Sequence, residues 1–247
     1  MLLECGRRFA AMGKGQDRPV ISITHLITGL SVGGTERVLL RLLSKMDRRR
    51  FDNVVIAMTE GGALEPDFRE LGIPVSSLGM RRGIPNPAAL FSLRHLLKTY
   101  RPSVLQTWLY HADLLGLLGS RITGVPSLAW NIRCSEMEEK YTSGIGGLVV
   151  KSLARLSRIP DAVVVNSEAG IRTHEGFGYR PKRWELIANG VDTEVFHPDP
   201  DAHAGVREAL GLQSETTLIG LIARFDPVKG HADLLKAASR IGGGASV

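Results

Sequence analysis

Short apolar runs alternate along the chain with stretches in which apolar residues return every three or four positions, at intervals of roughly 20–30 residues, the rhythm of repeated βα units. The runs span 20–27, 53–58, 75–78, 103–108, 127–132, 161–165 and 185–188. Several are rich in Val and Ile and nearly uninterrupted, as strands covered on both faces must be. Between them, Val38, Leu39, Leu42, Leu43 and Met46 within 36–46 keep helical spacing. The pattern predicts an α/β fold built on a doubly wound parallel sheet, Rossmann-like in layout.

The rhythm breaks at 189–204, where Asn189-Gly190-Val191-Asp192 and Phe196-His197-Pro198-Asp199-Pro200-Asp201 form a turn-rich stretch that reads as a linker. Beyond it the spacing predicts a helix over 205–210, a strand over 217–224 and a helix over 231–240, followed at once by Gly242-Gly243-Gly244. One strand and two helices cannot close a sheet. The expected organisation is a leader (1–18), a first domain (19–188), a linker (189–204) and an incomplete second Rossmann-like domain (205–247).

Composition narrows the classes. Hydrophobic residues make up 43% and charged residues 23% of 247, enough to bury a sizeable core and too apolar for a disordered chain. Two cysteines, Cys5 and Cys134, with no Cys/His cluster of zinc spacing, exclude a disulfide scaffold and a structural zinc site. Glu4, Arg7, Arg8 and Lys14 interrupt the start, so it does not read as a signal peptide, and His111 and Asp113 interrupt the best candidate span at 103–120. A cytoplasmic location is expected. The net charge of +6 is spread along the chain rather than gathered into a patch, which argues against a nucleic-acid partner.

In an open parallel sheet, ligands sit beyond the carboxyl ends of the strands. After the first run come Gly33-Gly34-Thr35-Glu36, where adjacent glycines at a helix start let the backbone approach an anion closely; a tight βα turn with Thr35 as N-cap is the plainer alternative. After the fourth comes His111, able to donate to a substrate hydroxyl, and after the fifth come Asn131 and Arg133 beside the same crevice. Near the end, Arg224 and Lys229-Gly230 flank a proline-containing turn, so two cations can meet one diphosphate at a helix N-terminus, or else stand solvated. The dinucleotide fingerprint and the P-loop do not occur, which disfavours a dehydrogenase. Asp199-Pro200-Asp201 has the form of a metal-chelating pair but lacks a preceding strand. Segment 147–158, with Lys151, Arg155 and Arg158 beside an apolar stripe, could touch anionic lipid, although a core-facing helix with a solvated basic side explains it more simply.

Singly these signals are weak; their order is specific. Gly33-Gly34-Thr35-Glu36-Arg37-Val38, Val163-Val164-Val165-Asn166-Ser167, Ile187-Ala188-Asn189-Gly190-Val191-Asp192 with Phe196-His197-Pro198, and Ala223-Arg224 with Lys229-Gly230 resemble family-4 (group 1) retaining glycosyltransferases of the GT-B fold over about 20–240. The resemblance implies two Rossmann-like domains across a cleft, the first taking the acceptor and the second a sugar nucleotide, with no metal and no other cofactor. By matching motifs, Gly33 and Gly34 would lie near the donor diphosphate and acceptor, His111 would reach the transferred sugar, and Arg224 and Lys229 would neutralise the leaving diphosphate; Asn131, Arg133, Asn189 and Gly190 complete the expected donor- or acceptor-binding set. It implies a saccharide or lipid-linked acceptor, with peripheral contact at the inner membrane face. The family's Glu-x7-Glu element lies further along than this chain reaches, so the chain as given is expected to be inactive or impaired. A non-catalytic acceptor-binding or partner-interaction module is the alternative.

Overall fold

The β-branched run at the start becomes β1 (Ile21–Ile27), which pairs in parallel with β2 (Phe51–Thr59) on one side and β4 (Val104–Trp108) on the other. The computed structural model describes residues 19–81, 86–134, 143–213, 216–223, 225, 229–241 and 245–246. The leader, Cys5, Arg224 and Gly242-Gly243-Gly244 lie outside them. Adding β3 (Val75–Met80), β5 (Ser127–Ile132), β6 (Ala162–Val165) and β7 (Trp184–Leu186) gives one sheet of order β3-β2-β1-β4-β5-β6-β7, parallel throughout. The order reverses between β1 and β4, and such a switch point opens a crevice beyond the strand ends.

Alternate residues feed two cores, one on each face of the sheet. Ile27, Val55, Ala57 and Trp108 pack under α1 (Gly34–Lys45) and α2 (Glu65–Glu70), which contribute Leu39, Leu43 and Phe68. Leu26, Val54, Ile56, Leu105, Trp130 and Val163 face the opposite way, toward α3 (Ala88–Tyr100), α4 (Tyr110–Thr123) and α5 (Gly144–Leu156). Each buried Leu or Ile in these layers contributes roughly 1.5–3 kcal/mol. Gly119 lets α4 close on α3, since a Cβ there would stand 2.7 Å from Leu93 Cδ2. Helix α6 (Glu168–Gly176) is capped by Ser167, whose Oγ accepts from Gly170 N–H at 3.1 Å.

Chain contacts separate two compact units, Met1–Gly190 and Val191–Val247. Within the second, the structure corrects three expectations. Helix α7 (Pro200–Ala209) begins five residues before the expected 205, inside the supposed linker, because Asp199 caps it by accepting from Asp201 and Ala202 N–H at 2.9 and 3.2 Å and Pro200 suits the first helical position. The strand expected over 217–224 is confined among the described residues to β8 (Thr217–Leu218). A second strand, β9 (Ala245–Ser246), pairs with it in parallel after α8 (His231–Ala238), where no closing element was expected. Two residues are too short to show a period, so pattern reading had no signal for β9.

Candidate functional site

The loop leaving β1 brings Gly33 to the start of α1, with φ −151° and ψ 168° and its carbonyl accepting from Arg37 N–H at 3.1 Å. Gly33, not Thr35, is therefore the N-cap; Thr35 lies in the first turn, already helical, and cannot serve as the flanking residue. The Glu36 side chain folds back onto the place a Gly33 Cβ would take, whereas nothing stands within 4 Å of a Cβ at Gly34. The first turn of α1 thus opens at Gly34 onto free space, with the positive end of the helix dipole behind it.

Strand β4 ends at Trp108, and the next residue, Leu109, is held at φ 74° and ψ 157°, a region that costs a non-glycine residue about 1–3 kcal/mol. Two hydrogen bonds hold it there: Leu109 N–H donates to Asn131 O at 3.2 Å, and Leu109 O accepts from Asp113 N–H at 2.9 Å. This bend turns the chain into α4 and sets His111 in its first turn, half-buried. Burial lowers the His111 pKa, so at neutral pH the ring is an uncharged donor and acceptor. Asp113, two residues on, is fully buried; Thr107 Oγ1 donates to its Oδ1, and desolvation raises its pKa well above the usual carboxylate range.

Strand β5 supplies Asn131, fully buried with neither Oδ1 nor Nδ2 hydrogen-bonded, and Arg133 two residues later on the same side. The Arg133 guanidinium lies over the Trp108 ring, 5.2 Å from its centroid, and Nη1 donates to Asn189 Oδ1 at 2.8 Å. Its Nε–H is buried without a partner, and desolvation lowers its pKa. Gly190 O accepts from Arg41 Nη1 of α1 at 2.6 Å, so the segment after β7 is tied both to β5 and to α1. Of the expected residues, Arg133 covers Trp108 and bonds Asn189, Asn131 is the register partner of Trp108, and Gly190 is bonded to Arg41 of α1, while Gly33 and Gly34 stand at the start of α1 and His111 at the start of α4. Lys229 is exposed and precedes Gly230, whose φ of 73° starts α8 in the other unit; its expected partner Arg224 lies outside the described residues.

Pattern reading missed what supports Trp108. Trp108 Nε1–H donates to His25 Nδ1 at 3.3 Å, and His25 Nε2–H donates to Asn53 Oδ1 at 3.1 Å, all three buried. A histidine and an asparagine inside apolar runs were the available signal. A second set, buried Tyr110 and His174 with half-buried Cys134, is joined through the Tyr110 hydroxyl, 2.9 Å from Cys134 Sγ and 2.7 Å from His174 Nε2. It anchors the start of α4 to α6 behind His111.

The model of Glycosyltransferase Family 4 matches residues 32–195. EpsF of Bacillus subtilis (strain 168), whose name places it among the glycosyltransferases, is 25% identical over 233 residues, covering 89% of this chain and 58% of its own length. The UDP-Gal:alpha-D-GlcNAc-diphosphoundecaprenol alpha-1,3-galactosyltransferase of Escherichia coli is 24% identical over 227 residues, covering 90% and 58%. Among solved structures, Anabaena Alr3699/HepE in complex with UDP and glucose matches with a TM-score of 0.69 at 19% identity, over 89% of this chain and 57% of that one. That likeness establishes the fold, a Rossmann-like sheet of the GT-B kind. The chain spans a little over half the length of these relatives.

Proposed function

Because the chain belongs to Glycosyltransferase Family 4, we propose that it serves transfer of a hexosyl group from a sugar nucleotide to a saccharide or lipid-linked acceptor with retention, an activity impaired in the chain as given and requiring a complete donor-nucleotide domain. The observation that carries this reading is Arg133, stacked on Trp108 at the end of β4 and bonded to Asn189, next to Asn131 of β5, a buried amide without a hydrogen bond. Such a crevice, with a few convergent polar groups on a rigid sheet, is where an α/β fold binds a ligand. The name of the Escherichia coli relative, with UDP-Gal and a diphosphoundecaprenol acceptor, supports the lipid-linked choice.

In this mechanism the acceptor hydroxyl attacks the anomeric carbon from the face the diphosphate leaves, through an oxocarbenium-like state. The hydroxyl proton passes to a departing diphosphate oxygen, so no carboxylate nucleophile is needed. His111, uncharged, holds a hydroxyl of the transferred sugar by hydrogen bonding. Gly34, next to the cap residue Gly33, leaves room for donor or acceptor at the α1 N-terminus, and Asn131, Arg133, Asn189 and Gly190 frame the acceptor side. On the family resemblance, Arg224 and Lys229, in the unit Val191–Val247, would act in place of a metal on the leaving diphosphate. Charge grows there in the transition state, so cations fixed beforehand stabilise it more than the ground state.

The test is a transfer assay with UDP-, GDP- and ADP-hexoses on the chain completed with a full donor-nucleotide domain, reading the anomer of the product by NMR. His111→Ala is expected to cut kcat by at least about tenfold with nucleotide affinity nearly unchanged, and Lys229→Ala or Arg224→Ala to cost about 2–4 kcal/mol of transition-state stabilisation. An inverted product would refute retention. Unchanged kcat in both cation variants would refute the diphosphate assignment.

A further inference from the structure

Arg133 is a half-buried cation whose partner carries no charge. Its hydrogen bond runs from Nη1 to the amide oxygen of Asn189, and none of the ion pairs among the described residues includes it. Its Nε–H is sealed from solvent without a partner. Two residues earlier, Asn131 is completely buried with both Oδ1 and Nδ2 unpaired, and it stands opposite Trp108, the ring that Arg133 covers, in the β4–β5 register. Buried polar atoms in folded proteins are nearly all paired, so this cluster marks a place where a polar partner belongs. A water molecule would satisfy the amide and leave the guanidinium charge without a counter-ion.

The same guanidinium holds a piece of chain. Asn189 and Gly190 are the last two residues of the first compact unit, and both are exposed. The ladder ends before them, at the bond from Ile187 N–H to Val165 O at 2.8 Å. Beyond it two arginine side chains secure the segment: Arg133 grips Asn189 at 2.8 Å, and Arg41 Nη1 donates to Gly190 O at 2.6 Å. A neutral amide oxygen is a weak match for a guanidinium, whereas a carboxylate or phosphate accepts two parallel charge-assisted bonds from its Nε and Nη2 edge. With Nε enclosed, an anion takes that edge only after the group has turned. Turning breaks the bond to Asn189.

We propose that Arg133 alternates between Asn189 and an oxyanion of the ligand, carboxylate or phosphate, so that capture of the anion releases segment 187–190. Asn131 completes the anion site, its Nδ2–H donating to the bound oxygen. The inference rests on the reading of this crevice as the acceptor side, and it adds both a ligand chemistry and a consequence of binding. A neutral hydroxyl offers Arg133 nothing that Asn189 does not already supply. Because the two bonds exclude each other, their coupling is reciprocal: the factor by which Asn189 weakens anion binding is the factor by which the anion weakens the hold on Asn189. Arg41 keeps Gly190, so the release is local.

The test uses the chain as it stands, titrated at constant ionic strength with glucuronate, with glucose 6-phosphate and with glucose. Calorimetry reads binding, and hydrogen–deuterium exchange reads the amides at 187–190. At least one of the two anions is expected to bind and to quicken exchange there by about tenfold, with glucose doing neither. Tighter binding of glucuronate assigns a carboxylate, and tighter binding of glucose 6-phosphate a phosphate. Asn189→Ala, which removes the competitor, should bind the same anion about tenfold more tightly. Arg133→Met should lose anion binding with circular dichroism unchanged, and its exchange at 187–190 should be fast with or without the anion. Absence of binding by both anions, glucose binding as strongly as either, a bound anion with exchange at the unliganded rate, or parental affinity in Asn189→Ala would each overturn the proposal. None of these readouts needs turnover, so a completed chain that fails to transfer sugar counts against the transferase reading alone.

Discussion

The Trp108 indole N–H donates to Nδ1 of His25 at 3.3 Å, joining residues 83 apart in sequence on adjacent strands β4 and β1. This bond requires the tautomer in which Nδ1 is bare and Nε2 carries the proton given to Asn53 Oδ1. Protonating the ring would set Nδ1–H against the indole N–H. Burial therefore lowers the His25 pKa from 6.5 to about 4.

The unfolded chain takes up this proton near pH 6.5 and the native protein only near pH 4, so His25 makes stability fall as pH drops through that interval. The total is on the order of 3 kcal/mol. His174 and His111, also lowered by burial, add a fall of the same sign. Urea denaturation between pH 4 and 7 should show His25→Gln losing less stability on acidification than the parent; parallel curves would refute the assignment.

Asp113 acts in the opposite direction. Its raised pKa means the native state keeps a proton the unfolded chain has released, so stability falls as pH rises above the ordinary carboxylate range. Asp113→Asn, which preserves the shape and the acceptor for Thr107 Oγ1, should gain on the parent by up to roughly 1.4 kcal/mol per pH unit while the native carboxyl remains protonated. Denaturation of both proteins across pH 4–8 measures this. A constant difference between them would contradict it.

Gly34→Ala separates folding from binding. Nothing within 4 Å opposes a methyl there, and alanine favours the helix, so thermal stability should hold or rise by up to about 1 kcal/mol. Affinity for donor or acceptor should drop about tenfold if the open space receives a ligand. Ligand titration beside a melting curve reads both, and unaltered affinity would remove Gly34 from the site.

Arg133→Lys keeps the charge but loses the planar group that covers Trp108 while reaching Asn189. Amide exchange at 187–190 is expected to quicken by about tenfold, with β5 itself unaffected. Exchange at parental rates would show that Arg41 alone secures the segment.

Most of the first unit was legible in the chain itself. The seven runs became seven parallel strands within a few residues of their expected ends, because a strand buried on both faces must be apolar along its length and sequence shows that directly. The candidate residues after β1, β4 and β5 were picked out for a similarly local reason, since ligands in open parallel sheets sit beyond strand ends, and the sequence shows where each run stops. Helix α7 was misplaced because Asp199 and Pro200 are both turn formers and helix starters, and only the bonds to Asp201 and Ala202 decide between those roles.

Sequence alone determined the alternation of elements, the faces of each strand and the family signature, all properties of neighbours in the chain. Tertiary structure decided which strands lie side by side, and so which distant residues meet: His25 with Trp108, Arg133 with Asn189, and Tyr110 with His174. Such meetings follow from register and packing, which depend on the free energy of the whole folded chain, and no local period encodes them.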